Sequence, residues 1–71
     1  MSIQDMCKEE GYELIVIDEN YWVLKLEVIM YSFISIPEYN SVTVQPHTKY
    51  ITPNELNLIN IIVEEMKKLN A

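Results

Sequence analysis

The chain has 71 residues, with 11 acids against five basic residues, and a formal net charge of −6. A chain this short makes one domain with a modest core, marginal when alone. The acidic balance, without a single arginine, argues against direct binding of phosphate or nucleic acid, and a lone cysteine, Cys7, rules out an intrachain disulfide and a zinc–cysteine cluster.

At the N-terminus, Ser2 followed three residues later by Asp5 fits a helix cap with an acidic partner. Ile3, Met6 and Cys7 share a helical face, and Gly11, the single glycine, stands where a left-handed C-terminal cap belongs. The spacing predicts a helix over 3–10. Helices this short persist only when docked, so Ile3 and Met6 are expected on a sheet. Met1 to Glu10 carries charges and no apolar segment, unlike a signal peptide.

Residues 12–18 read as a strand, and the polar Asp18-Glu19-Asn20 leads into Tyr21 as a hairpin would. The run 21–36 then contains no Gly, no Pro and only two charges, Lys25 and Glu27. Its β-branched and aromatic content favours strand. Trp22, Leu24, Leu26, Val28 and Met30 alternate with Tyr21, Val23, Lys25, Glu27 and Ile29; beyond Tyr31 the alternation is less clear. Fully extended, the run would span about 53 Å, against a diameter of roughly 28 Å for a globule of this size. It must bend or break, and the change of pattern places that near Val28–Tyr31; two strands joined by an unmarked tight turn is the alternative. The run is too short and too charged to span a bilayer.

Pro37-Glu38-Tyr39-Asn40 is a turn, with Pro suited to its second position and Asn to a left-handed one. Residues 41–46 form a further strand, which Pro46 ends or confines to an edge. Residues 47–49 are loop, and Tyr50-Ile51 can add an extended piece. Thr52-Pro53-Asn54-Glu55 is the sharpest local signal: cap, Pro at the first helical position, and Glu closing a capping box. The helix runs 53–69. Leu56, Ile59, Ile62, Val63, Met66 and Leu69 fall in one arc, with Leu58 at its edge and Ile61 misplaced on the polar side.

The expected fold is α+β: a single domain over 1–71, in the order α-β-β-β-α, with a three-stranded antiparallel meander and both helices on one face. Two short helices cannot cover both faces of the sheet. The second face leaves an apolar set drawn from Ile15, Ile17, Val23, Ile29, Tyr31 and Phe33, and the simplest cover is a second copy through a two-fold interface.

Candidate chemistry is sparse. His47, the single histidine, lies in a loop, and Cys7 sits on an apolar helix face like a small buried hydrophobe. The acid pairs are sequence neighbours, which do not share a helix face, and one turn supplies too few oxygens for a hard cation. No Gly-rich phosphate loop, nucleophile elbow or His-Glu metal helix is present. No cofactor, no metal and no enzymatic activity are expected. The acids Glu9, Glu10, Glu13, Asp18 and Glu19 form a candidate surface for a basic partner, although charge of this size also serves solubility.

The functional expectation is a non-enzymatic homo-oligomeric interaction protein, a small inhibitor or adaptor that binds another protein, in the cytoplasm and with no membrane contact. Ile, Asn and Tyr make up 21 of the 71 residues, a bias that follows from an AT-rich gene and suits a phage or mobile-element anti-defence factor in a bacterial host. Two alternatives stand beside it: an acidic nucleic-acid mimic that blocks a DNA-binding protein, and a small-molecule sponge holding a nucleotide-like ring at a subunit junction.

Overall fold

The computed structural model describes residues 2–69. Among them the order is α1 (Ile3–Glu9), β1 (Glu13–Asp18), β2 (Tyr21–Leu26), β3 (Val28–Ile36), a 3-10 turn (Pro37–Tyr39), β4 (Ser41–Pro46) and α2 (Pro53–Leu69). The four strands form one antiparallel meander in sequence order. The class is the expected α+β; the sheet has four strands where the sequence led us to expect three.

The fourth strand comes from the break in the long apolar run. It falls at Glu27, one residue before the expected stretch, and Glu27 reverses the chain in the left-handed region at φ 66°. Leu26 and Val28 pair across it, then Lys25 with Ile29. The next pair is Leu24 with Tyr31, so Met30 is an extra residue on β3. A bulge of this kind moves every later side chain to the opposite face.

The other reversals are better marked. At the β1–β2 turn neither Glu19 nor Asn20 takes a positive φ, so the primed turns that match strand twist are not used. Ile17 is left over between the Val16–Trp22 and Asp18–Tyr21 pairs and takes up the difference as a bulge. After β3, Asn40 closes the 3-10 turn in the left-handed conformation, at φ 48° and ψ 45°, as anticipated. Residues 50 and 51 are not in a strand.

Both helices begin as the sequence indicates. Ser2 and Asp5 close a capping box on α1, and Gly11 follows its end at φ 88°. On α2, the Thr52 hydroxyl accepts from the Glu55 N–H at 3.2 Å while the Glu55 carboxylate accepts from the Thr52 N–H at 3.3 Å. The buried stripe of α2 is Glu55, Leu58, Ile59, Ile62 and Met66. It is turned from the expected arc, so that Leu58 is inside while Leu56 and Leu69 are exposed. Ile61, the misfit, is half-buried and faces a groove beside α1.

One core joins these elements. Cys7 from α1 and Leu58, Ile59, Ile62 and Met66 from α2 pack on Leu14, Trp22, Leu24, Tyr31 and Phe33. The strand residues are cross-strand partners of one another: Leu14 with Leu24, Leu24 with Tyr31, Trp22 with Phe33, Phe33 with Val44. They therefore share one side of the sheet, and both helices lie against that side.

Candidate functional site: the uncovered sheet face

The register also defines the opposite face. Ile15 stands opposite Val23, Tyr21 opposite Ile34, and Ile36 two residues on from Ile34. These side chains form a contiguous apolar patch over β1, β2 and β3. Val23 is only 3% exposed yet lies outside the helix-side core; its strand neighbours on this face already shield it. The β4 side of the face is polar, with Ser32 opposite Gln45 and Ile34 opposite Thr43. Lys25 borders the patch opposite Glu13 on β1 and Ile29 on β3.

His47 closes the polar side. Its backbone N–H donates to the Met30 carbonyl at 2.7 Å, which holds the loop against β3, and its Nε2 lies 3.1 Å from the Ser32 hydroxyl. A hydroxyl beside an imidazole is the starting arrangement of nucleophilic catalysis. Here the Ser32 side chain is 5% exposed in the middle of a strand, which leaves little approach for a carbonyl. The pairing satisfies a buried hydroxyl, and that is its evident role.

Of the six residues expected on an interface, Ile15, Val23 and Ile29 are on the open face, and Ile17 is the bulged residue of the edge strand, 59% exposed. Tyr31 and Phe33 are not on it: both are fully buried under the helices. The Met30 bulge is the reason. Without it Tyr31 would oppose Val23 and Phe33 would oppose Tyr21; with it they oppose Leu24 and Trp22. The five acids Glu9, Glu10, Glu13, Asp18 and Glu19 are all exposed, at the end of α1, along β1 and in the turn that follows. Glu9 and Glu10 line a groove of about 280 Å³ between the helices, with Met6, Asn54, Asn57 and Ile61.

Two features were not foreseen. The first is the burial of Glu55, 5% exposed, whose second carboxylate oxygen accepts from the Tyr31 hydroxyl at 2.6 Å. That bond holds the Glu55 carboxyl below its ordinary value; burial opposes the shift, and the Thr52 donors add to it. Burial and the bond to Glu55 push the Tyr31 phenol up, and burial together with the charges of Glu55 and Glu10 pushes Tyr12 up. The second is the Trp22 indole N–H, which is buried and has no hydrogen-bond partner among the described residues; a buried donor left unpaired costs about 1–3 kcal/mol. Cys7 is fully buried, which raises its thiol. Among the described residues no three His, Cys, Asp or Glu side chains gather to hold a metal, and no helix is long and apolar enough to cross a membrane.

The fold and this face define a class: a small α+β domain, helices on one side of a four-stranded meander and an apolar patch bare on the other. Compared with known proteins, the chain matches no family model, no curated protein and no solved structure.

Proposed function

We propose that the protein is a non-enzymatic interaction module that pairs with a second copy through its open sheet face and, so assembled, binds and blocks or adapts another protein of basic character. The observation that carries this reading is the contiguous patch of Ile15, Tyr21, Val23, Ile34 and Ile36 on the side of the sheet away from both helices. An antiparallel sheet with one solvated face ordinarily alternates to polar residues on that side; here half of the face does not.

Magnitude decides how tight such a pair is. Four strands about 4.8 Å apart and six residues long at about 3.3 Å each give a face of roughly 380 Å². Two facing copies cover roughly twice that in plane area, close to the minimum of about 1,000 Å² of accessible surface that a specific interface needs once side-chain relief is included. An interface at that lower limit is a weak one, so the pair is expected to be concentration-dependent. Glu13 and Lys25, neighbours on β1 and β2, border the patch with opposite charges and give a two-fold pair complementary contacts at its rim.

Light scattering across a wide concentration range tests this. The expected mass moves from 8.4 kDa toward twice that value as concentration rises. Ile34→Lys, at a half-buried position of the open face, keeps the far-ultraviolet spectrum and abolishes the heavier species. A protein that stays at the mass of one chain at all concentrations refutes the self-pairing.

The exposed acids on α1 and β1 support a basic partner for the assembled form. Among the aromatic residues of the strands, Tyr21 is the one on the open face, so a ring-stacking sponge built on the sheet draws on one aromatic per copy.

A further inference from the structure

The outer edge of β1 is open. β2 pairs with it on one side, and among the described residues no strand pairs on the other. In an antiparallel ladder, successive residues turn their N–H and C=O groups alternately toward and away from the neighbouring strand. Roughly half of the backbone groups of Glu13–Val16 therefore point outward, and the described turns, loops and caps give them no backbone partner. Native edges are commonly blunted by Pro, Lys or a bulge. The other edge strand, β4, ends at Pro46 and carries no charge. Glu13–Val16 has neither Pro nor Lys, and the bulge at Ile17 comes only after it.

What guards this edge is charge, and the charge selects the occupant. Glu13 and Asp18 stand at the two ends of β1, with Glu19 following, and all three are exposed. Laid antiparallel and in full overlap on β1 of a second copy, the strand puts Glu13 opposite Asp18, and like charges directly opposite destabilise a pair. The same acids attract a strand that carries cations at its ends. Two hollows flank β1 on the helix side. One of about 360 Å³ lies against α1, where Lys8 shares the wall with Asp5, Glu13 and Leu14. The other, of about 330 Å³, has Val16 and Leu69 in its wall. Leu14 and Val16 are two residues apart, about 6.6 Å along the strand, which is the spacing of alternate side chains on a strand added beside them.

We propose that the β1 edge receives an extended segment of the basic protein partner as a fifth, antiparallel strand, with β-branched residues in its middle and lysine or arginine at its ends. Backbone hydrogen bonds along Glu13–Val16 hold the segment, alternate side chains enter the two hollows, and the end cations meet Glu13 at one end and Asp18 with Glu19 at the other. Main-chain bonds supply the affinity in this mode of recognition, and the side-chain pockets supply the selectivity. The site rests on the reading of the chain as a module that binds a basic protein. It does not rest on the self-pairing, because the edge lies in the plane of the sheet and the open patch lies on its face.

The probe is the blocked peptide Lys-Val-Thr-Val-Thr-Lys, added to nitrogen-15-labelled full-length protein. Its controls are the same peptide with glutamate in place of both lysines, and the same peptide with its inner backbone nitrogens methylated. The expected result is a saturable shift of the amide resonances of residues 13–16, slowed hydrogen exchange at alternate residues among them, and no change along β4. Both controls are expected to bind more weakly by about tenfold. Glu13→Gln combined with Asp18→Asn, both at exposed positions, is expected to keep the dispersed spectrum and lose the preference for lysine over glutamate. The proposal is overturned if the methylated or the glutamate peptide binds as well as the parent, if the double variant keeps the preference, if the shifts fall on β4, or if no resonance moves at millimolar peptide. Light scattering of the same samples reports the self-pairing separately: a mass that still rises with concentration in protein whose edge takes no peptide overturns the edge site alone.

Discussion

Replacing Tyr31 by Phe removes one oxygen from the centre of the fold and little else. Tyr31 is fully buried and donates to the Glu55 carboxylate at 2.6 Å. Hydrogen bonds to charged groups contribute about 1.5–3 kcal/mol, and a buried acceptor left unpaired costs a similar amount. The other carboxylate oxygen keeps its Thr52 donors, so the capping box survives and the loss is expected to be about 2 kcal/mol at neutral pH. Against a total stability of about 4–10 kcal/mol for a chain of this length, that shifts the melting temperature by roughly 8–16 °C.

The pH dependence carries the sharper signature. In the folded protein the Glu55 carboxyl is held below its ordinary value, so this group contributes stability that is complete above the unfolded carboxylate range, about 4.3. The contribution is lost as pH falls through the lower folded value. Tyr31→Phe removes the main cause of the lowering and leaves burial, which raises the value, set against the Thr52 donors, which lower it. The difference between the two proteins is therefore expected to be smaller at acid pH, below the lowered folded value of Glu55, and to fall toward about 1 kcal/mol there because the bond then joins two neutral groups. Urea unfolding followed by the fluorescence of Trp22, at matched protein concentration because self-pairing adds stability by mass action, measures both values. A difference below about 0.5 kcal/mol at neutral pH, or one that is the same at both pH values, refutes the assigned role of the bond.

Glu27→Gly is expected to raise stability by about 1 kcal/mol, since Glu27 holds φ 66° in a reversal that glycine adopts without strain; thermal melts check this, and a loss of stability would show that the side chain has a role of its own. His47→Ala is expected to cost about 1 kcal/mol by leaving the buried Ser32 hydroxyl without its partner, and the companion Ser32→Ala in the same background recovers most of that, as a double-mutant cycle by chemical unfolding reports.

Much of this arrangement was legible where a local rule and a long-range need agreed. Ser2 with Asp5, Gly11, Asn40 and the Thr52–Glu55 box each mark a chain end or turn through their own backbone chemistry, and the structure uses them so. The reversal at Glu27 was displaced because its residue type carries no turn preference; only the length of the run demanded a break. The faces of Tyr31 and Phe33 were misassigned because a bulge is set by pairing, and one surplus residue inverts the alternation that follows. Burial of Glu55 was hidden because its capping role accounts for the residue without reference to Tyr31. The open face was visible in outline, since counting two helices against two sheet faces needs no register.

The meander connectivity has a kinetic consequence. Each strand pairs with its immediate successor in sequence, so the sheet assembles through short loop closures, an arrangement associated with rapid folding. The distant closure is the meeting of the first and last helices, Cys7 with Leu58, Ile62 and Met66 in the same core. During synthesis all four strands emerge before α2, and until it docks, Trp22, Leu24, Tyr31 and Phe33 lack their main cover. The nascent chain thus presents two greasy surfaces back to back, and the final helix halves that hazard at the moment it arrives.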